Sequence, residues 1–176
     1  MVKLHLACGD DHREGYVNVD IRDTKATDIL QDLQKTPWPW ADGEVEEIQC
    51  KDYLNCLTPQ RRIAFLNEAY RVLKPQGVMA IAVPGRHSNR SMADPSFIWP
   101  PVVEDYFYFA NKEWREANGF SHYPFTCDFH WSYGFGLDDE WAPRNEEAQR
   151  FAIKFHTNVA HSMIVTLVAL KPEAEV

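Results

Sequence analysis

Short apolar runs and helix-spaced apolar positions alternate along the first half of this chain. Val2–Cys8 and Val17–Ile21 read as strands, and Thr27–Leu30 as a short third. Lys35–Gly43 carries two prolines and closes on Asp42-Gly43, which is turn chemistry. Val45–Cys50 is a fourth strand. Thr58 and Pro59 form an N-cap and first-turn pair, and Ile63, Leu66, Ala69, Tyr70 and Leu73 follow at helical spacing. Lys74–Gly77 stops that helix. Val78–Val83 is apolar without alternation, the pattern of a strand buried on both faces, and Pro84-Gly85 ends it.

The second half is less regular. Ser88–Pro101 is rich in Ser, Asn and Pro and reads as a loop. Val102–Asn118 is predicted as a helix bearing Tyr106, Phe107, Tyr108, Phe109 and Trp114. Phe129, Trp131, Tyr133 and Phe135 alternate strictly, which predicts a strand with one aromatic face. Arg144–Phe155 has helical spacing at Ala148, Phe151, Ala152 and Phe155, and Ser162–Leu170 is a last strand. Alternating strand and helix signals predict an α/β architecture with a mainly parallel sheet.

Composition narrows the function. The 176 residues are 45% hydrophobic and 13% aromatic, enough for one domain spanning 1–176 with a sizeable core. No apolar run approaches the ~20 residues needed to span a bilayer, so no membrane association is expected. Cys8, Cys50, Cys56 and Cys127 form no CxxC pair, as expected of reduced thiols in a cytoplasmic protein. With 26 acidic against 18 basic residues the net charge is −8, which argues against nucleic acid as a partner. Arg61-Arg62 and the Arg86–Arg90 segment read as a solvated face or a local anion contact.

The most specific chemistry lies at the start. The first strand ends at Cys8-Gly9 and the second at Asp20. A strand ending in glycine followed by one ending in an acid is how an α/β sheet recognises an adenosine-containing cofactor. The glycine admits the ligand to the backbone and the carboxylate accepts from ribose hydroxyls. Gly9 and Asp20 are eleven positions apart, whereas a dinucleotide fingerprint needs roughly twenty. The first crossover helix is therefore shortened. A pyrophosphate wants a helix N-terminus, whereas S-adenosylmethionine, which has no phosphate, can be held by a loop.

Four blocks in order strengthen this reading: Leu4-His-Leu-Ala-Cys-Gly9, Gly15-Tyr-Val-Asn-Val-Asp-Ile21, Asp32-Leu33 before the Pro-Trp-Pro-Trp loop, and Glu68–Gly77 leading into Val78–Pro84. Across Leu4–Pro84 the chain resembles the class I S-adenosylmethionine-dependent methyltransferases, above all compact members reading "LxLGCG…GxxNVDI" and "RVLKPGG". The resemblance implies a Rossmann-like, doubly wound, mostly parallel seven-stranded sheet with an antiparallel last strand. It implies a cofactor half over 1–84 and an acceptor or lid half over 85–176.

Carried over residue by residue, it implies that Ala7, Cys8 and Gly9 line the methionine end and that Asp20 takes the ribose diol. Ile21 would pack on adenine, Asp32 and Leu33 would meet its edge and face, and Lys51 and Asp52 would sit near the methyl group. Asp20 read without the resemblance is a helix cap or a surface acid, and Asp32 a turn acid. The chain departs from its relatives where they read "HxLEHL", having Asp52-Tyr-Leu-Asn-Cys-Leu57, and Gln76 replaces the first glycine of their turn. An Asn/Asp-Pro-Pro-aromatic motif, the mark of amino-methylation of DNA bases, is missing after Cys50.

Methyl transfer needs alignment and dryness, and a base only if the acceptor loses a proton. Asp52, His87, Asp94, His122 and His130 are the titratable candidates. Asp52 stands out by position and His130 by its aromatic surroundings. No metal site is expected, because Cys127 and His130 point to opposite faces of an extended strand. Aromatic side chains and the Ala93-Asp-Pro-Ser96 segment, which resembles a lid motif of the same relatives, point to a small, aromatic or planar acceptor. The rival readings are a domain that binds S-adenosylmethionine or S-adenosylhomocysteine without transfer, and another adenosine-nucleotide binder.

Overall fold

Val2–Leu6 forms β1 and is flanked on both sides by parallel strands in the computed structural model, which describes residues 1–86 and 88–172. The chain winds outward from β1 in both directions. On one side lie β2 (Val17–Asp20) and β3 (Ile29–Leu30), on the other β4 (Val45–Lys51) and β5 (Leu73–Val83). The sheet is completed by β6 (Phe129–Leu137) and β7 (Ala160–Ala169) in the order β3-β2-β1-β4-β5-β7-β6. Strand β7 is antiparallel to both of its neighbours. The seven strands, the mostly parallel pairing and the antiparallel last strand are those implied by the resemblance.

Residues 7–16 carry no helix at all, so the expected shortening of the first crossover is complete. Helix α1 (Pro59–Val72) begins where Thr58 and Pro59 predict, with the Thr58 side chain accepting from the Arg61 amide. Its buried residues are Arg62, Phe65, Leu66, Glu68, Ala69 and Val72, while the expected Ile63 and Tyr70 are only half-buried. It packs over Leu4, Leu6, Val19, Ile48, Cys50, Met79 and Ile81, all on one face of the sheet. The Pro-Trp-Pro-Trp loop joins this core. Trp38 is buried edge-on to Phe65, and its amide donates to the Glu68 carboxylate, which Arg71 also grips.

The opposite face corrects the reading of the Val78–Val83 strand. Met79, Ile81 and Val83 are buried, but Val78, Ala80 and Ala82 between them are only half-buried. The connections 7–16, 21–28 and 31–44 contain no helix to cover them. Strand β5 also starts earlier than expected. The Lys74–Gly77 turn sits inside it as an irregularity, with Gln76 at φ +60.

The second half differs from expectation in two places. The Ser88–Pro101 loop contains a short helix, α2 (Asn89–Ala93), capped by Ser88. The helix expected over Val102–Asn118 is a 3₁₀ segment, Glu104–Ala110, followed by α3 (Lys112–Ala117). Asn111 makes the break: its side chain caps the Trp114 amide and donates to the Phe129 carbonyl, tying the segment to β6. The aromatic stripe of β6 lies on the α1 side of the sheet. Phe129 is fully buried, Trp131 packs against Phe107, and Tyr133 is largely exposed. Helix α4 (Glu146–Phe155) links β6 to β7.

Candidate active site

The chain leaves β1 through two left-handed residues, Ala7 at φ +54 and Gly9 at φ +59. Gly9 is fixed from both sides. Its amide donates to Asp20 Oδ2 at 2.8 Å and its carbonyl accepts from the Thr24 hydroxyl at 2.8 Å. A Cβ at Gly9 would also come within 3.0 Å of the Arg22 guanidinium. The other Asp20 oxygen accepts the Arg22 amide at 2.8 Å, with the Arg22 Nε at 3.6 Å. Asp20 is thus buried and held rigidly by main-chain donors at the end of β2. A carboxylate has about four acceptor positions, so each oxygen keeps one for a further donor.

Asp20 opens onto a cavity of about 150 Å³ at the carboxyl ends of β1 and β2. The structure brings Ala7, Asp20, Ile21, Asp32 and Leu33 together around it, joined by Gln31, Gln34 and Tyr53. Ile21 is exposed at its mouth and Leu33 buried at its wall. Asp32 closes its own turn, its Oδ1 accepting the Gln34 amide at 3.0 Å. Gln31 is placed by pairing, its amide donating to the Asp20 carbonyl. Tyr53 packs on Phe65, and burial pushes its hydroxyl pKa up, so it stays a neutral donor.

Gln31, Gln34 and Tyr53 have no signal in the sequence. They reach the cavity only because β3 and the segment after β4 converge there.

The remaining predicted residues lie elsewhere. The Cys8 thiol is buried against the Ala26 carbonyl and the Thr27 hydroxyl, turned into the β2–β3 connection, and burial pushes its pKa up. Only its main chain faces the strand end. Lys51 is exposed at the end of β4. Asp52 follows at φ +56, its amide donating to the Ala82 carbonyl and its Oδ2 accepting from Arg90 at 2.8 Å.

His130 is not brought to the site. It pairs across β7 with the row of Val168, Val78, Glu47 and Lys3, at the amino ends of the central strands. It is also four strands from β1, about 19 Å at normal spacing. His122 is exposed beside the Gly119 carbonyl, and His87 lies outside the described residues. Asp94 caps its own turn, accepting from Ser96 N and Oγ, which lowers its pKa.

A second cavity, of about 140 Å³, is lined by Asn55, Pro84, Ile98, Val102 and neighbouring residues of the 91–102 strap. Tyr53 lines the first cavity and Asn55, two residues on, lines the second. The strap is held by a residue the Arg61-Arg62 reading misplaced. Arg62 is 1% exposed, and it donates to the carbonyls of Leu54 at 3.0 Å, Ile98 at 2.8 Å and Pro100 at 2.7 Å. Burial without a carboxylate partner among the described residues lowers its pKa.

No family model and no curated protein matches the chain by sequence. Solved structures match it by fold. A S-adenosylmethionine-dependent methyltransferase from Archaeoglobus fulgidus superposes over 95% of this chain and 86% of its own, with a TM-score of 0.65 at 15% identity. One from Methanosarcina mazei covers 96% and 92%, with a TM-score of 0.56 at 12% identity. The Burkholderia thailandensis 1,6-didemethyltoxoflavin-N1-methyltransferase, solved with 1,6-didemethyltoxoflavin and S-adenosylhomocysteine, covers 97% and 71%, with a TM-score of 0.57 at 12% identity. The fold is that of the class I S-adenosylmethionine-dependent methyltransferases. No helix among the described residues is long and apolar enough to cross a membrane.

Proposed function

We propose that this chain binds S-adenosylmethionine at the Asp20 cavity and transfers its methyl group to a small planar acceptor. The observation that carries this is Asp20 itself: buried, oriented by two main-chain amides, and sharing a cavity with Ile21, Asp32 and Leu33. A fixed carboxylate with spare acceptor positions suits a ribose diol, and an apolar wall beside an acid suits an adenine face and edge. The helix-free 7–16 connection supports this cofactor over a dinucleotide, because no helix N-terminus is there to hold a pyrophosphate. In this reading residues 1–84 hold the cofactor and 85–176 supply the acceptor side.

The bound cofactor would supply an activated methyl group on a sulfonium. The chain's part is then to position and to exclude water. Ala7, Cys8 and Gly9 offer main-chain groups at the carboxyl end of β1 for the methionine portion. Asp52 and Lys51 stand at the end of β4, where the methyl group would face the acceptor. The acceptor's lone pair would displace sulfur at the methyl carbon, and its proton would leave to water or to a nearby carboxylate. Four free cysteines fit a reducing, cytoplasmic setting.

Two observations favour a binder without transfer. Asp52 is already paired with Arg90, and His130 stands at the far end of the sheet. Calorimetric titration with S-adenosylmethionine, S-adenosylhomocysteine, NAD and ATP separates the cofactor readings. Binding of the first two only, weakened at least tenfold in Asp20→Asn, is expected; NAD binding without a response to S-adenosylhomocysteine overturns the proposal. Release of S-adenosylhomocysteine in an acceptor screen then separates transfer from binding.

A further inference from the structure

We infer that β6 is a pairing edge whose occupant is the β6 of a second copy, joined antiparallel about a two-fold axis at Tyr133. The inference is independent of the cofactor reading.

Strand β6 ends the sheet and is bonded to β7 alone. An exposed sheet edge presents unpaired main-chain groups, and a chain that must stay single guards it with a short strand, Lys or Pro. The opposite edge is guarded in this way, since β3 is two residues long. Strand β6 runs for nine residues and contains no Pro, Lys, Arg, Asp or Glu.

The bonding phase of β6 shows which groups are free. The Leu170 amide donates to the Asp128 carbonyl, and antiparallel bonding alternates along a strand. Residues 130, 132 and 134 therefore bond to β7, whereas Trp131, Tyr133 and Phe135 turn their N–H and C=O outward. Asn111 agrees with this phase, because its side chain reaches the carbonyl of Phe129 from outside the sheet. Among the described residues no group bonds the outward main chain of Trp131, Tyr133 or Phe135.

The free stretch matches itself. Asn111 closes it at Phe129, and an irregularity between Gly136 and Leu137 ends it on the other side, which leaves 131–135 with Tyr133 at the centre. A two-fold there sets Trp131 against the partner's Phe135 and Tyr133 against the partner's Tyr133, so each outward residue gains a two-bond partner. An axis at Ser132 would set Phe135 against the partner's Phe129, whose carbonyl Asn111 already holds. An axis at Gly134 would carry Trp131 to the partner's Leu137, past the irregularity. The full ladder exists in one register. This self-match, rather than the free edge alone, names a second copy as the occupant.

The side chains agree with the ladder. Trp131, Tyr133 and Phe135 share one face, so aromatic meets aromatic across the axis, a stabilising cross-strand pairing. Ser132 and Gly134 meet on the other face, where both are exposed and neither is bulky. No charge opposes its copy along the strand, although the chain as a whole carries −8. A groove of about 600 Å³ runs along the edge, lined by Tyr108 and Trp114 as well as Trp131 and Tyr133, and leaves room for the incoming strand. Three residue pairs make an interface smaller than a permanent one, so the dimer forms with a dissociation constant in the micromolar range.

Sedimentation velocity of the full chain from about 1 to about 500 μM should show monomer giving way to dimer and to no larger species. Tyr133→Lys and Tyr133→Glu each set like charges across the axis and should weaken the dimer at least about tenfold. Their equimolar mixture sets opposite charges there and should recover it. Tyr133 is 47% exposed, so circular dichroism should show both variants folded. If either fails to fold, amide hydrogen exchange of wild type decides. Rising concentration should slow the amides of Trp131, Tyr133 and Phe135 more than those of Ser132 and Gly134, which β7 already holds. Monomer at every concentration, growth beyond two copies, a dimer untouched by either substitution, a mixture no better than its components, or no selective slowing of the outward amides overturns the inference.

Discussion

The Gly9 amide donates to the Asp20 carboxylate at 2.8 Å, so the two residues that suggest an adenosine site are bonded to each other. Asp20 therefore has a structural duty as well as a proposed ligand. Asp20→Ala leaves the part-buried amides of Gly9 and Arg22 without their acceptor, at a cost of about 1–2 kcal/mol. Asp20→Asn keeps one carbonyl oxygen and most of the shape. The expected outcome is a clear loss of thermal stability in Asp20→Ala and a smaller one in Asp20→Asn, read by calorimetry or circular dichroism. Equal, near-zero losses in both would contradict the double role.

That pair also shows what is legible in a sequence. Gly9, Asp20 and Asp32 are recognisable because strand ends and turn acids depend on residue type and short spacing, both local properties. The mostly parallel α/β architecture follows from alternation of elements and from the blocks up to Pro84. Tyr53 is silent because its place beside Asp32 exists only once β4 and β3 lie in one sheet. Arg62 is silent for a different reason. A guanidinium normally faces water, and only the folded strap provides the three carbonyls that let it be buried. The 102–118 region misleads because its aromatic residues have helical spacing, while Asn111 is committed to a cap and to β6.

Arg62 is the fastener of the 91–102 strap. Arg62→Met preserves much of the apolar stem but takes the guanidinium from the carbonyls of Ile98 and Pro100 and leaves the Leu54 carbonyl only the Leu57 amide. We expect a loss of about 2–4 kcal/mol, discounted from three charged hydrogen bonds for the burial of the charge itself. Arg62→Lys should not rescue it, since an ammonium cannot span three carbonyls held in a fork. Limited proteolysis with mapped cleavage sites should show new cutting within 94–101 in both variants. Wild-type resistance there, with unchanged stability, would count against the role.

Gln76 stands at φ +60, in the turn where the pattern the sequence resembles has glycine. A side chain in the left-handed region costs about 1–2 kcal/mol, offset in part by glycine's greater freedom when unfolded. Gln76 is exposed, so little packing is lost on replacing it. Gln76→Gly should therefore stabilise the chain by about 0.5–1 kcal/mol, raising the denaturant midpoint with an unchanged slope. A lower midpoint would show that the glutamine makes a compensating contact.

Glu47 gives the chain an acid-sensitive element on its open sheet face. The Tyr16 hydroxyl donates to it, as do Gln49 and Lys3, and together they hold its pKa down to about 2. A carboxylate whose folded pKa is depressed contributes its stability above the unfolded value of about 4.3, and loses it as pH falls towards 2. The side chain is 25% exposed, so solvent screening reduces the contribution to about 1–2 kcal/mol. Urea unfolding should show stability falling between about pH 4.5 and pH 2. Glu47→Gln should flatten part of that fall while leaving Tyr16 a partner; an unchanged slope would remove Glu47 as its source.

His130 tests the geometry of the whole assignment. A base acting on an acceptor must come within hydrogen-bond reach of it, and His130 is on the far strand in the row of Lys3, at the wrong end of β6. Its ring is exposed on the helix-free face, opposite to the aromatic stripe of Phe129 and Trp131. His130→Ala should leave S-adenosylhomocysteine affinity and any measured turnover within about twofold of wild type, with stability changed by less than about 0.5 kcal/mol. A tenfold fall in kcat at unchanged stability would require the active site to extend to the β6 edge, against the placement of Asp52 three strands away and Asp20 five.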